Sequence, residues 1–140
     1  WKHAGTFNNN VCSMAAGCAA MGEVFTQKRA AEFLESSEAY RTSLNQMFAA
    51  KSVSMHCNGL GSMFAIHFSS KLIERTYQRT ADSQSLRELM HMELLLDGVL
   101  ICSRGDMFQS LPMNDAHLAK ARDALERFID RRRSRIGYAR

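Results

Sequence analysis

The sequence predicts an α+β fold, a small antiparallel sheet covered by helices and preceded by two helices that look borrowed from another domain. Three patterns predict it. Apolar residues recur at helical spacing over 11–25, 27–50, 86–94 and 118–129; the rhythm becomes strand-like between 52 and 69; and glycine or proline marks several of the joins.

The first helix starts at Asn10, a side chain suited to capping, and carries Met14, Cys18, Met21 and Phe25 on one stripe. Its other face is Ala15, Ala16, Ala19, Ala20 and Gly22, small enough to let a neighbouring backbone approach, which predicts burial on more than one side. A second, more amphipathic helix spans about Gln27 to Ala50, with Phe33, Leu34, Tyr40, Leu44, Met47 and Phe48 as its apolar contacts.

At Ser52 the period drops to two. SVSMHC and SMFAIHFS read as strands, Phe64, Ile66 and Phe68 on one face and Met63, Ala65 and His67 on the other, with Asn58, Gly59 and Gly61 supplying a turn or bulge. A polar stretch from Ser69 to Ser83 leads to a third helix marked by Leu86, Leu89, Met90 and Leu94 and closed at Gly98. Val99 to Cys102 (VLIC) reads as a buried strand, Arg104-Gly105 as a turn, and Met107 to Leu111 as a further strand ended by Pro112. Asn114 caps the last helix, whose stripe is Leu118, Ala121, Leu125, Phe128 and Ile129. The residues thus divide into 1–50, two helices that look borrowed from another domain, and 51–140, a small antiparallel sheet under helices.

Composition narrows the function classes. A chain of 140 residues, 46% hydrophobic and 23% charged, with 8 glycines and one proline, is neither disordered nor collagenous. No apolar run approaches the ~18 residues a spanning helix needs, so no membrane contact is expected, and the opening WKHAGTFNNN lacks a signal peptide's order and reads as the middle of something longer; the cytoplasm is the expected setting because the scattered cysteines suit a reducing compartment. The net charge of +4 is concentrated in the tail, where 120–140 holds eight basic and three acidic residues. With no interleaved aromatic residues, Arg131 to Arg135 read as a solvated last helical turn, not as a nucleic-acid grip. Cys12, Cys18, Cys57 and Cys102 have no metal spacing, so no metal is expected and the thiols read as reduced.

No nucleophile elbow, phosphate-binding glycine loop or HExxH is present, and His3, His56, His67, His91 and His117 are scattered. The GTFNNN segment is the exception. Gly5 permits close approach, Thr6 offers a hydroxyl, and a helix begins just beyond, an arrangement that suits phosphate; the same residues also make an ordinary capped turn.

Three blocks, HAGTFNNNVCSMAAGCAAM, GLGSMFAIHF and GVLICSRGDMFQSLPMNDAHLAKARDALERFI, occur in an order and at a spacing that resembles the C-terminal third of class III aminotransferases, most of all the glutamate-1-semialdehyde aminomutase branch. The resemblance implies a fold type I enzyme dependent on pyridoxal 5'-phosphate, a homodimer whose active sites are shared between subunits. It implies that Gly5 and Thr6 contact the cofactor phosphate held by the neighbouring subunit, and that Arg104 grips a substrate carboxylate, for which a planar fork suits better than lysine. Pairing of Arg104 with Asp106 on the surface is the competing reading.

Two departures qualify the resemblance. ICSRGDMFQSLPM points toward relatives that transfer amines of α- or β-amino acids, and Val11 stands where many members have proline. The Schiff-base lysine is expected outside this sequence, since none of Lys2, Lys28, Lys51, Lys71 and Lys120 has its context; these 140 residues alone therefore have no catalytic residue and are expected to be inactive. The alternative from another class is a non-catalytic truncated homologue whose Met- and Ala-rich helix binds a partner.

Overall fold

The computed structural model describes residues 5–7, 10–79 and 81–137. The chain divides into two compact units, Trp1–Phe33 and Leu34–Arg140.

In the first unit, Asn10 adopts an extended conformation and its side chain accepts the Ser13 N–H at 3.0 Å, starting α1 (Val11–Ala19). The helix widens into a π-turn over Ala20–Val24, closed by Phe25 N–H donating to the Ala20 carbonyl at 2.6 Å. No residue of α1 is buried; Met14 and Met21 are more than half exposed. The expected burial of the stripe is therefore not provided within α1's own unit.

α2 (Gln27–Ala50) has the predicted bounds and brings Leu44, Met47 and Phe48 into the core of the second unit. After it, burial alternates as expected, with Val53, Met55 and Cys57 inside, although β1 (His56–Leu60) begins only where a partner is present. β2 (Met63–His67) pairs antiparallel with it from His56 opposite His67 to Leu60 opposite Met63. The turn is consequently Gly61-Ser62, while Asn58-Gly59, expected in the turn, lies inside β1. A Cβ on Gly59 would collide with the Met63 carbonyl oxygen and Phe64 Cα, so this position in the ladder requires glycine.

α3 (Ala81–Leu96) is longer than predicted and turned relative to the expected stripe: its buried positions are Ser83, Arg87, Met90, Glu93 and Leu94. VLIC is not a strand. Val99 N–H returns to the Leu94 carbonyl, Leu100 is exposed, and Cys102 N–H and C=O serve the turn that leads to Asp106, leaving no edge for a partner. β3 (Asp106–Phe108) then joins β2 antiparallel, giving the sheet order β1-β2-β3.

α4 (Asp115–Ile136) opens with a capping box in which Asn114 and His117 bond each other's backbone. Ala124, Leu125, Phe128 and Ile129 bury against Leu44, Phe48, Ile66, Met90 and Leu94, so helices cover the small sheet as predicted. The basic end of α4 is solvated only in part: Arg131 and Arg135 are exposed as expected, but several arginines here also pair with acidic residues. Arg131 reaches Glu93 at 2.8 Å and Asp97 at 3.3 Å, Arg132 also pairs with Glu93, and Arg127 meets Asp97 at 3.2 Å. Glu93 of α3 and Asp97 just beyond its end thus engage Arg131 and Arg132, two of the arginines expected to face solvent.

Candidate functional site

Gly5 and Thr6 lie in the first unit and Arg104 in the second, so each is placed within its own unit. Thr6 and Phe7 form an exposed turn in which Asn10 N–H donates to the Phe7 carbonyl at 3.1 Å. Among the described residues the Thr6 hydroxyl has no hydrogen-bond partner. The next element is the start of α1, where the Asn10 side chain meets the Ser13 N–H and the Val11 and Cys12 N–H groups have no acceptor within the helix. A free hydroxyl followed by unmet helix N–H groups fits a phosphate.

Arg104 sits at the tip of a tight turn closed by Gly105 N–H donating to the Cys102 carbonyl at 2.9 Å. It is 69% exposed and its Nε donates to Asp106 Oδ2 at 3.0 Å. The pairing with Asp106 that competed with a carboxylate role is therefore present, and it engages Nε. The turn is fixed from below: Ile66 N–H donates to the Gly105 carbonyl at 2.9 Å, and Gly105 takes a φ of +88°.

The residue beneath that turn is one sequence reasoning missed. Arg87, on α3, is 2% exposed, with Nη1 donating to Ser83 Oγ at 3.1 Å and Nη2 to Gln84 Oε1 at 2.7 Å. Burial first, and then the positive Arg79, works against its charge; Asp106 and Glu88 favour it through space, but among the described residues no carboxylate forms an ion pair with it. His67, 4% exposed, lies close by; burial, then the nearby positive Arg79, pulls its imidazole down to about 4. The only sequence signal was the spacing Ser83-Arg87-Met90-Leu94, a helical stripe with an arginine inside it.

Elsewhere Cys57 and Lys51 offer little chemistry. Cys57 is buried and its thiol is pushed up to about 12 by that burial. Lys51 is held between Asp130 at 2.8 Å and Glu126 at 3.0 Å. Among the described residues no three His, Cys, Asp or Glu side chains converge on a metal position, and no helix is long and apolar enough to cross a membrane.

No protein-family profile matches the chain. It is similar to the β-phenylalanine transaminase of Variovorax paradoxus, 36% identical over 127 residues, 91% of this chain and 29% of that protein. The crystal structure of a β-phenylalanine aminotransferase from the same organism superposes on all of this chain, and on 33% of its own, with a TM-score of 0.92 at 34% identity. A glutamate-1-semialdehyde 2,1-aminomutase from Methanococcoides burtonii is 32% identical over 89 residues, 63% of this chain and 21% of that protein. The chain spans less than a third of the length of the curated relatives it matches. Sequence and fold agree along nearly its whole length, and the chain belongs to the aminotransferase family.

Proposed function

We propose that these residues are the C-terminal portion of a class III aminotransferase or aminomutase that uses pyridoxal 5'-phosphate, acts on an amino acid bearing a carboxylate, and works as a homodimer in the cytoplasm. The observation that carries this is the superposition of all of this chain on a third of the β-phenylalanine aminotransferase, which also favours a β-amino acid as substrate. In this reading 1–50 complete the large cofactor-binding domain and 51–140 form the small domain.

Gly5 and Thr6 hold the cofactor phosphate of the neighbouring subunit, Gly5 by allowing close approach and Thr6 by donating its free hydroxyl. When bound, the cofactor supplies the electron sink for amino-group transfer. Arg104 orients the substrate: with Nε on Asp106, its Nη edge takes the substrate carboxylate. No lysine of this chain holds the cofactor, so the 140 residues alone do not transaminate.

The test is amino transfer from β-phenylalanine to 2-oxoglutarate by the full-length protein, with cofactor absorbance followed in parallel. Activity together with bound cofactor supports the reading. A full-length protein that takes up no pyridoxal phosphate sinks it and leaves the interaction module, for which the exposed face of α1 is the binding element.

A further inference from the structure

Arg87 presents an unusual balance. A guanidinium 2% exposed is expensive to desolvate, and the protein offers it only the neutral oxygens of Ser83 and Gln84. Its Nε is buried with no hydrogen-bond partner, and so is Nδ1 of His67. Both side chains line one cavity of about 70 Å³, which Arg79 also borders. That is room for several waters, or for one carboxylate or phosphate group.

The cavity wall is built rather than incidental. His56 accepts the Ile73 N–H at Nε2, 3.2 Å, which leaves its Nδ1–H to donate to the Ser69 carbonyl at 3.1 Å, while Asn58 Nδ2 donates to the Ile73 carbonyl. These bonds from β1 pin the segment after β2 across the mouth of the site. A second, larger depression of about 230 Å³ shares His67, Ile73 and Arg79 with it and is edged by the exposed Glu74 and Arg75, giving a free solute a way in.

We infer that this cavity is a binding site for a small exchangeable oxyanion, a carboxylate or a phosphate, seated on Arg87 Nε–H and His67 Nδ1 with Arg79 completing the positive wall. The inference goes beyond the proposed transaminase reading and does not depend on the cofactor or substrate named there. An anion here supplies the missing acceptor for Nε and a negative charge in direct contact with a buried cation to which the protein offers only the charges of Asp106 and Glu88 acting through space.

The test uses the full-length protein saturated with pyridoxal phosphate and freed of excess. Thermal melting is followed against sodium phosphate and, separately, sodium acetate, each matched in ionic strength with sodium chloride. The expected result is a saturable rise in Tm beyond the chloride control, abolished in Arg87→Met and weakened at least about tenfold in half-saturation by His67→Leu. Arg87→Lys, which keeps charge and bulk but has no Nε–H, guards against misfolding of Arg87→Met and should weaken binding similarly. Saturation at lower acetate identifies a carboxylate ligand, at lower phosphate a phosphate. No rise with either salt beyond chloride, or a rise that survives Arg87→Met unchanged, overturns the site.

Discussion

Gly105 rests on the buried stem of Arg87: a Cβ at position 105 would come within 2.8 Å of Arg87 Cδ and also within 2.8 Å of the Ile66 carbonyl oxygen. The turn carrying Arg104 is thereby seated on α3 and β2 together. Gly105→Ala adds both that overlap and the strain of a φ of +88°. It should cost about 1–3 kcal/mol of stability and raise the KM for amino-acid substrate as the Arg104 turn shifts. Melting curves and initial rates of the full-length enzyme check the two effects; an unchanged Tm would mean that the turn is not held from below.

Arg104 gives a sharper separation of roles. In Arg104→Lys the charge remains but the parallel donors are lost, so KM for a carboxylate-bearing amino donor should rise about ten- to a hundredfold, with kcat less affected. Stability should move by less than about 0.5 kcal/mol, because the pair with Asp106 is at the surface and worth little. A simple amine without a carboxylate should be handled equally by both proteins. If KM for the amino acid is unchanged, Arg104 is only Asp106's partner.

The same turn shows what a sequence can and cannot disclose. α2 and α4 were legible because Leu44, Phe48, Leu125 and Phe128 repeat at helical spacing and Asn114 announces a cap. VLIC was misread because a four-residue apolar run does not reveal where its backbone bonds go, and here they go to Leu94 and the Asp106 turn. Asn58-Gly59 carried the stronger turn signal, yet facing Phe64 and Ile66 to the core sets the register that puts the turn at Gly61-Ser62. Thr6 was singled out by its hydroxyl ahead of a helix start and by family resemblance, and Arg104 by resemblance and the geometry of its fork, and the roles of both are proposals. His67 and Arg87 were not singled out, since they are twenty positions apart in the chain and only the packing of α3 on β2 brings them to one cavity.

For Thr6 the expectation concerns the cofactor. Thr6→Val keeps the shape and removes the hydroxyl donor, and a hydrogen bond to a charged group is worth about 1.5–3 kcal/mol. Pyridoxal phosphate affinity of the full-length protein should therefore fall about ten- to a hundredfold, read by titration of cofactor absorbance. Equal affinity in the two proteins removes Thr6 from the phosphate site.

His67 makes stability depend on pH in one direction. Its imidazole is held down at about 4, by burial first and then by Arg79, His56 and Arg87, with Asp106 opposing. Above the ordinary histidine value of about 6.5 both folded and unfolded chains carry it neutral, and it contributes nothing to pH dependence. Between about 6.5 and 4 the unfolded chain binds the proton more readily, so stability falls as pH falls and levels off below 4. His67→Leu should flatten the melting temperature across that window, measured in a buffer series without phosphate or carboxylate ions. A wild-type profile that is level from pH 6.5 to 4 contradicts the burial of a neutral imidazole.

Glu93 tests whether the basic tail is structural. Its carboxylate is 8% exposed and is shared by Arg131, at 2.8 Å, and Arg132, while Arg133 donates to the Lys51 carbonyl at the end of α2. Arg132 itself has a non-helical conformation, so α4 bends where these contacts form. Glu93→Gln keeps the shape but leaves two guanidinium groups without their shared countercharge, and removal of one member of a buried pair costs about 3–5 kcal/mol, less where the partners are partly solvated as here. A loss of about 1–3 kcal/mol is expected by denaturant unfolding, together with stronger retention on heparin as Arg131 and Arg132 are released. If the variant is as stable as the parent and binds heparin no better, the arginines of α4 are free at the surface and their contacts to α3 contribute nothing to the fold.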